Sequence, residues 1–367
     1  MIPKAVITIL IALFMSSCKD SQNIKSDTFE VKRGTNIAHW LSQSDKRGQE
    51  RVDFFRESDV KKIASLGFDH IRLPIDEEQM WDENGNRHKE AFKLLQNAID
   101  WCELHDLRVI VDLHILRSHY FNAEVKPLWT DPEEQEKFFD LWRDLSKALN
   151  QYPNNLLAYE LMNEAVADDH ELWNSLVKRA HTAIRKLEPK RTIVIGSNRW
   201  QSTDTFDALK VPENDPNILL SFHFYEPFLL THYNAEWTFL DEYNGPVQYP
   251  GVIVEEEAFQ SLSDEAKEKA EEWVGTEFNK EELLKLWKKP IQKAKETGLS
   301  LYCGEFGIIS HAPDEDALDW YRDMIQLFDE TGIGFANWNY KSDNFGLYGI
   351  DNSENEELVA IVTKQND

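Results

Sequence analysis

Cysteine is scarce in this chain. Three occur in 367 residues. Cys18 lies near the start, which leaves Cys102 and Cys303 for the body of the protein. Two cysteines do not make a disulfide scaffold. Cys102 falls in a helical pattern and Cys303 in a strand pattern, so both read as buried free thiols rather than ligands or nucleophiles. Basic charge is also short: 40 Lys+Arg stand against 66 Asp+Glu, a net charge of −26. That excludes nucleic acid as a partner, because phosphate contacts need basic patches. It disfavours a polyanionic substrate and suits a neutral one. A membrane-spanning helix needs about 18 or more apolar residues, and the apolar run at residues 5–15 is too short. No linker rich in Gly, Ser or Pro interrupts the body of the chain, and no internal repeat is evident.

Aromatic residues, by contrast, are plentiful, with 12 Trp among them. Flat rings fill cores, and they also stack on sugar faces in carbohydrate clefts. At the N-terminus, Lys4, the run 5–15 and then Ser16-Ser17-Cys18 read as a secretory signal. Small residues directly before Cys18 resemble a bacterial lipobox, with Met15 where Leu is usual. The resemblance implies cleavage before Cys18 and acylation of its thiol. Residues 1–17 would then be a lipoprotein signal peptide and 18–28 a polar tether. The product would be exported and anchored to bacterial membrane lipid, expected at the outer membrane. Lys19-Asp20 resembles the short charged tag that sends some bacterial lipoproteins to the cell surface.

The body alternates strands and helices. Strand patterns fall at residues 31–37, 70–75, 108–115, 156–165, 191–196, 218–225, 301–309 and 333–339. Helical patterns lie between them, as at 89–105, where Phe92, Leu95, Ile99 and Cys102 share a face. Asp131-Pro132 starts a helix as N-cap and first-turn proline. Gly67, Gly298 and Gly332 mark helix ends. Eight strand–helix repeats in one run predict an α/β fold, a parallel sheet closed into a (β/α)8 TIM barrel. A single catalytic domain is expected over 29–367. Its one outsized connection, at about 226–280, carries Trp237, Tyr243 and Tyr249. A loop of that length in a compact barrel is usually functional or a small subdomain.

In such a barrel the C-terminal strand ends share one mouth, where the chemistry sits. The strand ends supply Arg72, Asp112, His114, Asn163, Glu164, His223, Tyr225, Glu305 and Trp338. Taken singly, each has an ordinary structural explanation, and Asp112 reads as support. Two glutamates from different strands, ringed by Arg, His, Asn and Tyr, make a different case. Glycoside cleavage needs two carboxyl groups facing one cleft, one to protonate the leaving oxygen and one to attack or to activate water.

The ordered strings IRLP, VIVDLH, LMNE, SFHFY, YCGEFG and WNY resemble glycoside hydrolase family 5, the cellulase family of clan A. The resemblance covers roughly residues 31–351. It implies a retaining enzyme with Glu164 as acid/base and Glu305 as nucleophile. Asn163 would bond the 2-hydroxyl of the −1 sugar. Arg72 and Tyr225 would orient Glu305, His114 would contact the −1 sugar, His223 would support Glu164, and Trp338 would form the floor. Lys341 matches a lysine that many β-glucanases of the family place on the −2 sugar. His39 and Trp40 are expected as minus-side contacts. Trp81, Trp129, Trp200 and Trp237 lie in mouth-side loops as candidate sugar platforms. Ile115 departs from the family pattern, where a second histidine is common.

The substrate implied is a β-glycan, foremost β-1,4-glucan, with β-mannan, xyloglucan and β-1,3-glucan open. Neither cofactor nor metal is called for, and a monomer is expected. Two readings of another class compete. A metal-dependent hydrolase on Asp112, His114, His223 and Glu305 lacks ligand spacing such as His-x-His. A non-catalytic, glycan-binding surface lipoprotein would be expected to have lost one of the glutamates.

Overall fold

The computed structural model describes residues 28–363. Cys18, the signal segment and nearly all of the tether lie outside them. Eight parallel strands close into a barrel: β1 (Arg33–Asn36), β2 (His70–Asp76), β3 (Arg108–Ile115), β4 (Leu157–Glu160), β5 (Thr192–Gly196), β6 (Ile218–Phe224), β7 (Ser300–Phe306) and β8 (Gly334–Asn337). Each strand pairs with its neighbours in sequence, and β8 pairs with β1 to close the ring. All eight predicted strands are present. The fourth is shorter than its apolar run suggests: β4 stops at Glu160, and 161–164 continue in a less regular path. That path still bonds to both flanking strands, through Leu161 N–H to the Val194 carbonyl and Asn163 N–H to the Leu113 carbonyl.

Alternation explains what the barrel holds. Ile110, Ala158, Val194, Leu219, Tyr302 and Ala336 point inward and form a small apolar plug, with Phe29 and Val31 packed against it. Two residues further along, the inward positions turn polar: Asp112, Glu160 and Ser221 follow Ile110, Ala158 and Leu219. The larger core lies between barrel and helices. Lys89–Leu104 buries Phe92, Leu95, Ile99 and Cys102 on one face, and Pro132–Leu149 starts with Asp131 accepting the Glu133 N–H at 2.8 Å. Cys102 and Cys303 are free and buried.

Two helices, Lys280–Leu286 and Lys288–Thr297, lead up to Gly298. Pro290 has no N–H to offer the Leu286 carbonyl, so an unbroken helix is blocked there. Trp287 at the break is fully buried against Phe222, Phe224 and Phe328.

The long connection folds against the barrel, its Leu240, Tyr243, Ile253 and Trp273 joining the main core, and it carries a two-stranded ribbon of Gly251–Val252 with Glu277–Phe278. It docks on the helix Asp314–Thr331. Tyr249 donates its hydroxyl to Asp323 and its N–H to Asp316, each at 2.7 Å, and the Trp320 indole donates to the Glu226 carbonyl at 2.9 Å. Among the described residues, no helix is long and apolar enough to cross a membrane.

Gly34 on β1 faces the buried His70 ring, and a Cβ there would sit 2.3 Å from it. His70 cannot swing away, because Tyr302 and Asp69 hold its two ring nitrogens at 3.0 and 2.6 Å. Gly34→Ala is therefore expected to destabilise the barrel by about 1–3 kcal/mol, the usual cost of overpacking. A urea unfolding curve with an unshifted midpoint would refute this.

Candidate active site

The mouth of the barrel is organised on Arg72, whose guanidinium is fully buried. Its Nε donates to Glu160 Oε2 at 2.6 Å, and its Nη1 donates to Glu305 Oε1 at 2.7 Å and to Asn36 Oδ1 at 2.9 Å. Its Nη2 reaches Asn163 Oδ1 at 2.8 Å, Asp112 Oδ2 at 3.0 Å and Glu160 Oε1 at 3.2 Å. Burial works against the guanidinium charge, but Asp112, Glu160 and Glu305 more than offset it and hold the group protonated.

Glu305 is fixed at both oxygens, because the Tyr225 hydroxyl donates to its Oε2 at 2.9 Å. Across the mouth, Glu164 Oε1 lies 2.9 Å from His223 Nδ1, and the same nitrogen is 3.6 Å from Glu305 Oε2. One carboxylate oxygen of each glutamate and a His223 nitrogen all lie within 4.8 Å of one another. The two carboxyl groups are close but differently placed. Burial raises the Glu164 pKa well above the ordinary carboxylate range, and the charge of Glu305 raises it further. Burial also raises Glu305, but less far, because the Arg72 charge and the Tyr225 hydroxyl act against it. Glu164 is the half of the pair that keeps a proton.

The histidines are neutral for the same reason of burial. His114 is held down to about 4, and its Nδ1 lies 2.7 Å from Asp112 Oδ2. Donation from Nδ1–H leaves Nε2 as an acceptor. The His114 ring lies parallel to Trp338, 5.6 Å between centroids, and His39 meets Trp338 edge-on at 6.3 Å. Glu164, His223 and Glu305 also have the ligand types and spacing of a metal site. A buried guanidinium on one oxygen of Glu305 and a hydroxyl on the other leave that carboxylate poorly placed to take a cation. The four-residue metal set considered from sequence is not the one assembled, since Asp112 turns to Arg72 and His114.

Arg72, His114, Asn163, Glu164, His223, Tyr225, Glu305, Trp338 and His39 thus converge. Trp40 does not: it is fully buried, donates its indole N–H to the Arg51 carbonyl at 2.8 Å and packs on Phe55. Lys341 is also turned away from the cleft. Its Nζ lies 3.2 Å from the Phe54 carbonyl and 3.6 Å from Asp59, over the Phe54 ring. A buried ammonium takes the nearest carbonyl and carboxylate, and here they lie on the first two helices. Trp81 and Trp129 are core. Trp200 and Trp237 remain exposed, at 44% and 51%. Three participants went unnoticed in the sequence: Asn36, Glu160 and Gln201. Inward alternation from Gly34 and Ala158 marks the first two; nothing local marks Gln201.

A closed parallel barrel with one buried and one half-buried glutamate facing each other across its mouth has the architecture of a barrel hydrolase that cleaves glycosidic bonds. Residues 31–344 match the family model for cellulase (glycosyl hydrolase family 5), and the chain belongs to that family. It is a glycoside hydrolase. It is 35% identical to Endoglucanase C of Acetivibrio thermocellus over 346 residues, 91% of this chain and 98% of that protein. It is 30% identical to Cellodextrinase A of Ruminococcus flavefaciens over 307 residues, 83% of each. The fold is shared with Thermotoga maritima Cel5A, solved with mannotriose, at a TM-score of 0.71 and 24% identity over 90% of this chain and 97% of that one.

The unequal pair makes a prediction of its own. Glu305→Gln removes the negative charge facing Glu164, so Glu164 is expected to lose its proton at lower pH than in the parent. Carbon NMR of glutamate-labelled protein reads this directly; an unmoved or raised titration of Glu164 would contradict the coupling.

Proposed function

We propose that the protein is an endo-acting β-1,4-glucanase that cleaves with retention of anomeric configuration. The observation that carries this is the pair itself: carboxylate oxygens within 4.8 Å, with Glu305 clamped by Arg72 and Tyr225 and Glu164 left outside that clamp. Retaining enzymes hold their carboxyl groups roughly 5–5.5 Å apart, too close to seat a water between them. In the first step Glu305 bonds to the anomeric carbon. The glycosidic bond breaks, and its oxygen takes the proton of Glu164. In the second, ionised Glu164 takes a proton from water, whose oxygen bonds the anomeric carbon and releases Glu305.

The surrounding residues take roles suited to their contacts. Asn163 and neutral His114 face the −1 sugar, over Trp338 as floor with His39 beside it, and His223 orients Glu164. Trp200 N–H bonds the Ala165 carbonyl, on the Glu164 side, while Trp237 packs on Phe345 and thereby on Tyr225. Exposed indoles on both flanks suit a long chain bound across the mouth, which favours endo action. Endoglucanase C, matched over almost its whole length, supports glucan as the substrate. The mannotriose bound to the Thermotoga relative makes β-mannan the alternative to test.

Soluble β-glucan, mannan and xyloglucan are to be digested and the products sized. Mid-chain cuts in β-1,4-glucan with β-anomers formed first are expected. Preferential mannan cleavage would overturn the substrate, and α-anomers the mechanism. Glu164→Gln and Glu305→Gln should each lose on the order of 10³-fold or more in kcat on polysaccharide. Full activity in either ends the assignment.

We also propose that the enzyme is exported and acylated at Cys18, with the barrel held monomeric outside the bilayer by its tether. Fatty-acid labelling of the cells is expected to mark the parent, and Cys18→Ser is expected to lose both label and membrane fraction. A membrane-bound, unlabelled parent would count against it.

A further inference from the structure

Gln201 lies in an unusual turn directly after β5. Arg199, Trp200 and Gln201 all have left-handed backbone, with φ of 60°, 60° and 54°. L-residues visit that region rarely, and three in a row persist only where the surroundings impose it. Several bonds impose it here. Asn198 exchanges two hydrogen bonds with Ala167, at 2.8 and 2.9 Å, and Trp200 N–H bonds the Ala165 carbonyl at 3.3 Å. Gly196 leaves the room: a Cβ there would meet the Gln201 side chain at 2.3 Å.

The result places the Gln201 carboxamide, 1% exposed, inside the barrel mouth with each of its polar atoms used. Its Oε1 accepts the backbone N–H of Glu164 at 2.9 Å. Its Nε2 donates to Glu160 Oε1 at 3.2 Å and to Ser221 Oγ at 3.1 Å. Glu164 itself has φ of 44°. A glutamate in that conformation, past the regular end of β4, is not held by the sheet ladder. The bond from Gln201 takes its place. Through Glu160 the same carboxamide joins Arg72, and through Arg72 it joins Glu305. One continuous chain of hydrogen bonds therefore links the backbone of one glutamate to the carboxylate of the other.

We propose that Gln201 is a positioning residue for proton transfer: it fixes Glu164 against Glu305 by holding the Glu164 backbone. This rests on Glu164 being the general acid. The proposal separates Gln201 from a merely structural residue, because its loss must harm the protonation of the leaving oxygen more than the attack on the anomeric carbon. A misplacement of about 1 Å costs on the order of 10²-fold in rate.

The test compares two leaving groups on aryl β-glycosides of the sugar that the polysaccharide digest identifies, cellobiose on the present reading. Dinitrophenolate departs without a proton; plain phenol needs one. Gln201→Ala is expected to lower kcat/KM on the phenyl glycoside at least about tenfold more than on the dinitrophenyl glycoside. The basic limb of its pH–rate profile should shift, while oligosaccharide binding is kept. Equal loss on both substrates, or no loss, overturns the proposal. Should the alanine variant not fold, Gln201→Met fills the same space without donor or acceptor and decides the matter by the same ratio. Glu164→Ala is run in parallel. If it shows no dependence on the leaving group, the reading of Glu164 as acid is what fails; if it does and Gln201 variants do not, the inference about Gln201 fails alone.

Discussion

One buried cation carries this site. Arg72 projects from β2 with its Nη and Nε atoms spread over Glu160, Asp112, Glu305, Asn36 and Asn163. A guanidinium out of water is costly unless its bonds are filled, and so are the carboxylates that fill them. The arrangement is therefore mutual. Three acids make the buried arginine tolerable, and the arginine makes three buried acids tolerable. It also ranks them. Asp112 and Glu160 lie deep and face only protein, and burial pushes Asp112 up to about 7. Glu305 alone among the three reaches the open side of the network, where Tyr225 and His223 meet it. Glu164 has no direct share in the cation. That difference, more than any feature of the two glutamates themselves, raises the pKa of Glu164 further than that of Glu305 a few ångströms away.

The geometry of a parallel barrel explains why the network can be built from so many strands. Inward positions recur every second residue, so one turn of the barrel offers a ring of side chains at one height. The lower ring is apolar and small, with Ala158, Val194 and Ala336 leaving room for Tyr302. Towards the mouth the buried side chains turn polar: Asn36, Arg72, Asp112, Glu160 and Ser221. A plug below and a polar tier above let the carboxylates be dry without being unpaired.

This tier was only half legible in the sequence. The strand patterns, the closing glycines and the motifs around Glu164 and Glu305 were enough for barrel, pair and family. Glu160 lies before the strand's polar end, where only alternation from Ala158 marks it as inward. Trp40 and Lys341 were misplaced for the opposite reason. Both neighbour residues that do face the cleft, but the direction of a side chain after a strand end depends on which partners lie behind it. The Arg51 carbonyl and Asp59 sit on two helices, with Phe55 in the bend between them, and no local pattern records how these dock. Trp81 and Trp129 fell to the core in the same way, while Trp200 and Trp237 stayed outside. An indole in a mouth-side loop has no preference of its own between these fates; packing assigns it.

Gln201 is the extreme case of this limit. A glutamine in a polar loop carries no periodicity and no motif. Its meaning arises only when a left-handed turn after β5 turns its amide inward to the backbone of Glu164. The two loops that meet there, after β4 and after β5, are adjacent because their strands are paired, Ala158 to Thr192 and Glu160 to Val194. The sheet register thus sets where Glu164 stands relative to the rest of the tier. Regular structure ends at Glu160, four residues short of Glu164, the proposed acid. The gap is bridged by side chains rather than by the ladder. A carboxyl held this way lies beyond the strand and is still fixed, by Gln201 at its backbone and by His223 at its side chain.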